Sequence, residues 1–286
     1  MCSPPGRRVR RFATLTASYA AEHLRAELGE CSARTAMRKR RVAPISRRSR
    51  RIPVHDAGTL AMIEQVAEGV VRIPVVPLDG VNCYLLEDVL VDAGFRSSEP
   101  KIRAALEGRS VAAHALTHAH PDHQGSSRAL CLAYDVPFWC GEGDREVAES
   151  GDLVRLFSNP AGLAARLSSR MGGPGHLVEQ TLSDGDHVGD FVVLETPGHT
   201  PGHLAFWRPH DRLLVLGDVA LAMNPFTMLR GLRTPPRLAT PEPERNLASL
   251  RKLAVLGPEI VCFGHGPVLR DGEAFQRFVH AVAPAH

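Results

Sequence analysis

Residues 117–125 restrict the fold and the chemistry of this chain more than any other feature. They read Thr-His-Ala-His-Pro-Asp-His-Gln-Gly and follow an apolar run that is typical of a strand. Imidazole and carboxylate groups are the usual ligands of zinc and related divalent metals. His118 and His120 lie on one side of an extended segment, and the proline that follows turns the chain so that Asp122 and His123 face a second position nearby. The segment therefore predicts a metal site at the end of a strand.

Three later segments predict the remaining ligands. Each follows an apolar run and places a glycine directly before a polar residue, which lets the backbone turn sharply and pass close to an ion. The three polar residues are His199, Asp218 and His265.

In this order, the H-x-H-x-D-H motif and the separate His, Asp and His residues resemble those of the metallo-β-lactamase-fold hydrolases, over roughly residues 62–286. The resemblance implies an α+β fold, a four-layer αβ/βα sandwich with two sheets packed face to face and the metals in a cleft at one edge. It also implies two Zn2+ ions per chain, with iron or manganese as alternatives. By this resemblance, one metal is held by His118, His120 and His199, the other by Asp122, His123 and His265, and both by a bridging Asp218.

Two divalent ions side by side lower the pKa of a shared water, so that hydroxide forms at neutral pH and attacks a carbonyl that one ion polarises. Asp122 and Asp218 are therefore the expected catalytic residues, Asp122 as an acceptor that orients the nucleophile and Asp218 as the bridge. Metal-bound histidines need hydrogen-bonding partners behind them. We expect this supporting role for Asp92, Thr117 and Thr196.

The resemblance favours a glyoxalase II-like thioesterase that cleaves a thioester or ester bond in a small molecule. Glyoxalase II carries a helical C-terminal domain that grips glutathione, whereas only 21 residues follow His265 here, so glutathione specificity does not follow. Residues 141–180 are predicted to be a helical insertion that walls the substrate site or simply covers the sheet, with its second helix opened by Asn159-Pro160. The candidate substrate-binding residues are Asn82, Arg166 and Arg170. The two arginines, or the loop over residues 223–237, would meet an anionic acyl carrier such as coenzyme A.

Other functions stay open at this point. A lactonase or another ester or amide hydrolase, a β-lactamase included, would use the same metal-bound hydroxide to attack a carbonyl. Fold and ligands alone therefore do not determine the substrate. A mononuclear iron dioxygenase would differ in its metal. A nucleic-acid-binding or surface-binding protein would act through the basic N-terminal residues.

The basic residues are concentrated at the N-terminus. Residues 1–61 contain 14 Lys and Arg against 4 Asp and Glu, a net charge of +10, whereas residues 62–286 carry −7. Blocks of like charge are usually disordered, so we expect an Arg-rich extension that is a basic arm, a targeting peptide or sequence upstream of a true start at Met62. The catalytic domain would span residues 62–286, and its negative charge disfavours nucleic acid as a partner.

The remaining composition predicts a cytoplasmic enzyme. Six scattered cysteines without a C-x-x-C pair indicate a reducing compartment. No apolar stretch reaches the ~18 residues of a membrane-spanning helix, so no membrane partner is expected. The apolar patterning predicts strands at 69–76, 81–86, 89–92, 191–196, 203–207, 212–216 and 259–263, and helices at 98–107, 123–133, 241–256 and 272–282.

Overall fold

The computed structural model describes residues 63–283, so the expected extension over residues 1–61 and the start at Met62 lie outside the described residues. Within residues 63–283, no helix combines the length and the apolar character needed to cross a bilayer.

The first sheet has seven strands that neighbour one another in chain order. They are β1 (Glu64–Ala67), β2 (Val70–Val76), β3 (Val81–Leu86), β4 (Val89–Val91), β5 (Ala113–Ala115), β6 (Phe138–Gly141) and β7 (Gln180–Leu182). The strands from β1 to β4 pair antiparallel, and those from β4 to β7 pair in parallel. This change of direction follows the connections, because short turns join antiparallel strands and longer crossovers join parallel ones.

The second sheet has five strands, in the order β14, β11, β10, β9, β8. They are β8 (His187–Val188), β9 (Phe191–Glu195), β10 (Leu204–Arg208), β11 (Leu213–Val215) and β14 (Ile260–Cys262). A separate hairpin pairs β12 (Leu221–Met223) with β13 (Arg230–Arg233).

Seven α-helices lie between or after the strands of the described chain. They are α1 (Glu99–Ala105), α2 (Pro121–Gln124), α3 (Ser127–Tyr134), α4 (Arg145–Ser150), α5 (Leu163–Ser169), α6 (Pro243–Val255) and α7 (Gly272–Val282). Short 3-10 turns precede α4 at Glu142–Asp144 and follow it at Leu153–Leu156.

Alternation along the strands places the core between the two sheets. On β3, Tyr84 and Leu86 point inward and join Phe206 of β10 in the apolar cluster between the sheets. Leu85 points to the opposite face and packs in a second cluster with Ile102 of α1. Because full burial of one such side chain stabilises the fold by about 1.5–3 kcal/mol, this pattern determines which face of the strand each layer covers.

Helices cover the outer face of the second sheet as well. Helix α6 buries Leu250 and Leu253, and α7 buries Phe275 and Val279 and contacts β14. The predicted four-layer αβ/βα sandwich is therefore confirmed.

Three predicted elements differ from the structure. The helix expected at 123–133 is divided into α2 and α3, because the backbone leaves helical geometry at Ser126 (φ −101°, ψ 3°), whose hydroxyl donates to the Phe95 carbonyl at 2.6 Å. Asn159-Pro160 does not open a helix: Gly162 N–H closes a turn on the Asn159 carbonyl, and α5 begins only at Leu163. The loop expected over residues 223–237 contains β13 of the hairpin.

Candidate metal centre

The candidate site lies where six strands end, at one edge of the sandwich. β4, β5 and β6 are parallel neighbours, so their carboxyl ends meet at one edge of the first sheet. β9, β11 and β14 share one direction in the second sheet, since β11 is parallel to β14 and both β9 and β11 are antiparallel to β10. The main-chain N–H of Leu204 donates to the Thr117 carbonyl, 2.7 Å away, and joins the two edges.

The structure brings all seven predicted ligands into one cluster. Their ligand atoms form three groups, each within 4.8 Å: His118, His120 and His199; His118, His123 and Asp218; and Asp122, His123 and His265. Oδ2 of Asp218 lies 3.6 Å from Nε2 of His199 and 3.7 Å from Nε2 of His123. This carboxylate is therefore placed between the first group and the third.

In each histidine of the cluster, one ring nitrogen is hydrogen-bonded to a residue that is not one of the predicted ligands. Nδ1 of His118 donates to Oγ1 of Thr117 at 3.0 Å, and Nδ1 of His123 donates to Oδ2 of Asp92 at 2.9 Å. In the neutral form of both rings Nε2 then carries the free lone pair, and it faces the centre of the cluster.

Two further histidines follow the same pattern. Nδ1 of His265 donates to the Gly80 carbonyl at 2.5 Å, and Nδ1 of His199 donates to Oγ1 of Thr240 at 3.1 Å. Outer partners of this kind fix the tautomer and the orientation of a ligating ring. The sequence carries no local pattern that marks Gly80 or Thr240 for this role.

The fifth histidine, His120, is held by the segment expected to be a helical insertion. Its Nε2 donates to the Leu156 carbonyl at 3.2 Å, and its ring lies 5.2 Å from that of Phe157. Nδ1 of His120 faces Nε2 of His199 at 2.9 Å. Residues 141–180 therefore reach the cluster and contact one of its members.

Three buried polar atoms of the cluster lack a hydrogen-bond partner within residues 63–283: Nε2 of His118, Nε2 of His123 and Oδ1 of Asp218. Buried polar atoms in proteins are normally hydrogen-bonded, so these three require a further partner. Imidazole nitrogen and carboxylate oxygen lone pairs are the donors that bind divalent metals. The residues therefore fit a metal centre.

Burial keeps three of the imidazoles neutral. It lowers the pKa of His120, and it lowers the pKa values of His118 and His199 well below their ordinary value, with neighbouring imidazoles adding to the effect. Only the neutral ring offers a lone pair to a metal. This group is therefore ready to bind at neutral pH.

The other half of the cluster is a network of ion pairs. Burial alone would lower the pKa of His123, but the carboxylates of Asp92 and Asp218 outweigh it and raise the pKa to about 9. Asp218 likewise raises the pKa of His265 against the effect of burial. The paired imidazoles lower the pKa values of Asp122 and Asp218, although burial opposes this too. Metal binding here would therefore release protons from His123 and His265.

Asp92 is placed where a supporting residue was expected. Its carboxylate accepts the Thr117 main-chain N–H at 2.8 Å and the Thr117 hydroxyl at 2.8 Å, in addition to Nδ1 of His123. Asp92 and Thr117 thus connect the end of β4 to the segment that carries the ligand motif.

Thr196 acts through a residue that is not among the predicted ones. Oγ1 of Thr196 accepts from Nδ1 of His203 at 2.8 Å, and Nε2 of His203 accepts the main-chain N–H of Asp218 at 3.1 Å. His203 therefore holds the turn that carries Asp218.

The three candidate substrate-binding residues have different surroundings. Asn82 is fully buried, and its amide donates to the carbonyls of Phe263 and Gly266 at 3.1 and 2.8 Å. The side chain is thus bound to the loop around His265, and a contact of Asn82 with substrate stays a prediction. Arg166 and Arg170 lie exposed at the end of α5.

Asp144 is a functional candidate that was not predicted from the sequence. It is fully buried at the carboxyl end of β6 and is hydrogen-bonded to both histidine-bearing loops. A signal was present, because Gly143 precedes Asp144 shortly after an apolar run, as Gly217 precedes Asp218. The surrounding acidic residues concealed it by making the segment resemble a solvated helix.

Comparisons with known proteins agree with this arrangement. The chain is 33% identical over 201 residues to the probable metallo-hydrolase YflN of Bacillus subtilis, across 62% of this chain and 75% of the relative. It is 27% identical to the hydroxyacylglutathione hydrolase of Yersinia pestis (strain Pestoides F), across 69% of this chain and 62% of that protein.

A solved structure supports the same family. The crystal structure of TTHA1623 in a di-iron-bound form aligns with a TM-score of 0.55 and 30% identity, over 74% of this chain and 97% of that one. The sequence model of the metallo-β-lactamase superfamily matches residues 76–265, which include every residue of the cluster. The chain belongs to the metallo-β-lactamase superfamily and is a metallo-hydrolase of that family.

Proposed function

We propose that this chain hydrolyses an acyl thioester, or a related ester, at a centre that holds two divalent metal ions, with zinc as the first expectation. The observation that carries the proposal is the position of Asp218 between two sets of inward-facing ligand atoms. Divalent ions bound there supply Lewis acidity to a water molecule and to the carbonyl of the scissile bond.

The ligand sets divide the cluster between the two ions. His118, His120 and His199 would hold one ion, Asp122, His123 and His265 would hold the other, and Asp218 would contact both. All of these donors are nitrogen or oxygen atoms, which suit zinc, iron and manganese alike. The di-iron form of TTHA1623 leaves iron as a real alternative to zinc.

Asp122 is the member of the cluster best placed to act on the reacting water. Its side chain is 23% exposed, whereas that of His265 beside it is 4% exposed. A carboxylate at the open side of the cluster accepts a hydrogen bond from an entering water and orients the oxygen toward the carbonyl. We assign this orienting role to Asp122.

The thioester substrate class rests on similarity. The relative from Yersinia pestis is named for the hydrolysis of hydroxyacylglutathione. The acyl carrier for this chain would be bound by residues 141–180, which contact His120 and carry Arg166 and Arg170 as exposed cations. These arginines favour an anionic carrier.

A substrate panel tests the proposal. Protein loaded with zinc, iron or manganese is assayed against hydroxyacylglutathione, acyl-coenzyme A thioesters, lactones and a β-lactam, and its metal content is measured. We expect two ions per chain and preferential thioester cleavage. The Asp218→Ala variant should lose most activity, whereas Asp190→Ala, which changes an exposed aspartate in the turn between β8 and β9, should retain it.

Two results would overturn the proposal in different ways. Two bound ions with preferential lactone or β-lactam turnover, or with no turnover on the panel, would refute the thioester assignment. Failure of the purified chain to bind divalent metal would refute the metal centre itself.

A further inference from the structure

A single buried carboxylate joins the two loops that carry the first set of histidines. Oδ2 of Asp144 accepts the main-chain N–H of Ala119 at 2.9 Å and the hydroxyl of Thr200 at 2.7 Å. Oδ1 of Asp144 accepts the main-chain N–H of Gly202 at 2.7 Å. Every one of these donors belongs to a ligand-bearing loop.

The donors sit beside the ligands themselves. Ala119 lies between His118 and His120 in the chain, and Thr200 directly follows His199. Asp144 therefore holds the main chain at one point within each histidine segment. Those segments meet in front of it, with Nδ1 of His120 2.9 Å from Nε2 of His199.

The main chains around Asp144 are in direct contact, so its hydrogen bonds have little freedom to adjust. A Cβ at Gly202 would lie 2.3 Å from the Asp144 nitrogen, and a Cβ at Gly141 would lie 2.0 Å from the Gly202 carbonyl oxygen. Only glycine allows such an approach.

No lysine or arginine within residues 63–283 pairs with Asp144, and burial raises the pKa of its carboxyl. Burying a carboxylate without a cation is costly unless hydrogen bonds replace its water. The donors at Ala119, Thr200 and Gly202 supply that replacement. The buried Asp144 carboxylate is thus stabilised in this position by donors from the two loops.

We propose that Asp144 is a positioning residue that sets the distance between the His118–His120 segment and His199, and so determines the affinity of the first metal position. This inference rests on the proposed metal centre. His123 and His265 are anchored elsewhere, by Asp92 and the Gly80 carbonyl, and Asp122 lies against His265. Loss of the Asp144 carboxylate therefore acts on one metal position and spares the other.

The test is the Asp144→Asn variant of the full-length protein. Asn has almost the same shape, but its amide group donates where the carboxylate accepted, so at least one of the three donors loses its acceptor. Metal content is measured at increasing Zn2+ in competition with a chromophoric chelator, and the absorption spectrum of the Co2+-loaded protein is recorded. We expect one ion bound as in the wild type and the other bound about 10-fold to 100-fold more weakly.

Matched variants separate positioning from general stability. Thr200→Ser keeps the hydroxyl and should bind both ions like the wild type, whereas Thr200→Val removes one donor and should weaken one ion only. Glu179→Gln is the distant control, because Oε2 of Glu179 accepts the Phe138 main-chain N–H at 2.7 Å at the opposite end of β6. It should leave both affinities and the Co2+ spectrum unchanged.

Unchanged affinities and spectrum in Asp144→Asn would overturn the inference, and so would an equal weakening of both ions together with a lower Tm. A wild-type protein that binds two ions but cleaves no thioester would refute the proposed substrate and leave this inference standing. A wild-type protein that binds no metal would refute both.

Discussion

The main-chain N–H of Asp218 donates a hydrogen bond to Nε2 of His203, 3.1 Å away. Because Nε2 accepts, the proton of the neutral ring is on Nδ1, which donates to Oγ1 of Thr196. Burial lowers the pKa of His203 to about 3, so the ring stays neutral and keeps this tautomer near pH 7. The residue that stands between the two sets of ligands is therefore held by a histidine outside both sets.

His203→Phe should weaken both stability and metal binding. Phenylalanine fills the same space but leaves the buried N–H of Asp218 without an acceptor, which costs about 1–3 kcal/mol. His203→Gln is the control, since its amide oxygen can reach the same N–H, and it should retain more of both properties. Urea unfolding and metal content measure the two effects, and equal results for the two variants would contradict the role assigned to His203.

Gly264→Ala should disable the centre with little effect on the fold. A Cβ at this position would lie 2.1 Å from Oδ1 of Asp218 and 2.7 Å from Cε1 of His123, so at least one of these side chains must move. A displacement of about 1 Å in a catalytic group can cost about 100-fold in rate. We therefore expect a loss of about that size in hydrolysis, together with weaker metal binding.

Gly108→Ala is the control for the added methyl group. Its Cβ would meet no atom within 4 Å, and its φ of +74° adds only backbone strain of about 1–2 kcal/mol. This variant should lose some thermal stability and keep full metal content. A fully active Gly264→Ala variant would contradict this prediction, because it would show that the loop around His265 can shift enough to accommodate the methyl group without displacing Asp218 or His123.

His114 should make the stability of the metal-free protein depend on pH. Its Nδ1 donates to the Leu90 carbonyl at 2.9 Å, its Nε2 accepts from the Ser127 hydroxyl at 2.8 Å, and burial lowers its pKa to about 4. Between pH 6.5 and pH 4 the unfolded chain binds this proton and the folded chain does not, so stability falls as the pH decreases. The contribution of this one residue is about 3 kcal/mol.

Urea unfolding of the metal-free wild type and of His114→Gln at several pH values measures this term. The other histidines titrate in both proteins, so the difference between the two curves isolates His114. We expect the wild type to lose about 3 kcal/mol more than the variant between pH 6.5 and pH 4. Parallel curves would show that His114 does not titrate in this range.

Local pattern predicted the strands and the residues that follow them. The apolar alternation around Tyr84 and the glycine before Asp218 are properties of neighbouring residues, so they can be recognised from the sequence without knowledge of the fold. The position of each polar residue directly after an apolar run and a glycine also predicted that these segments supply the remaining ligands of the metal site. The two-sheet sandwich followed from the resemblance that those segments carry.

Supporting contacts were expected for Asp92, Thr117 and Thr196, but the other contacts around the cluster were beyond that pattern. Asn82 was a candidate for substrate binding, yet its amide is bound to the carbonyls beside His265. Asp144 was counted with the charged residues around it, yet it is buried between the two histidine loops.

The sequence by itself therefore determined the composition of the centre: the residue types, their order and their positions at strand ends. Only the tertiary structure decided that Gly80, Thr240 and Asp144 support them, because the hydrogen bonds of these three residues join positions that lie 25 to 185 residues apart. Whether Asp144 faces solvent or accepts the N–H groups of Ala119 and Gly202 depends on the approach of separate strands. No local pattern encodes that approach, since it results from the packing of the whole sandwich.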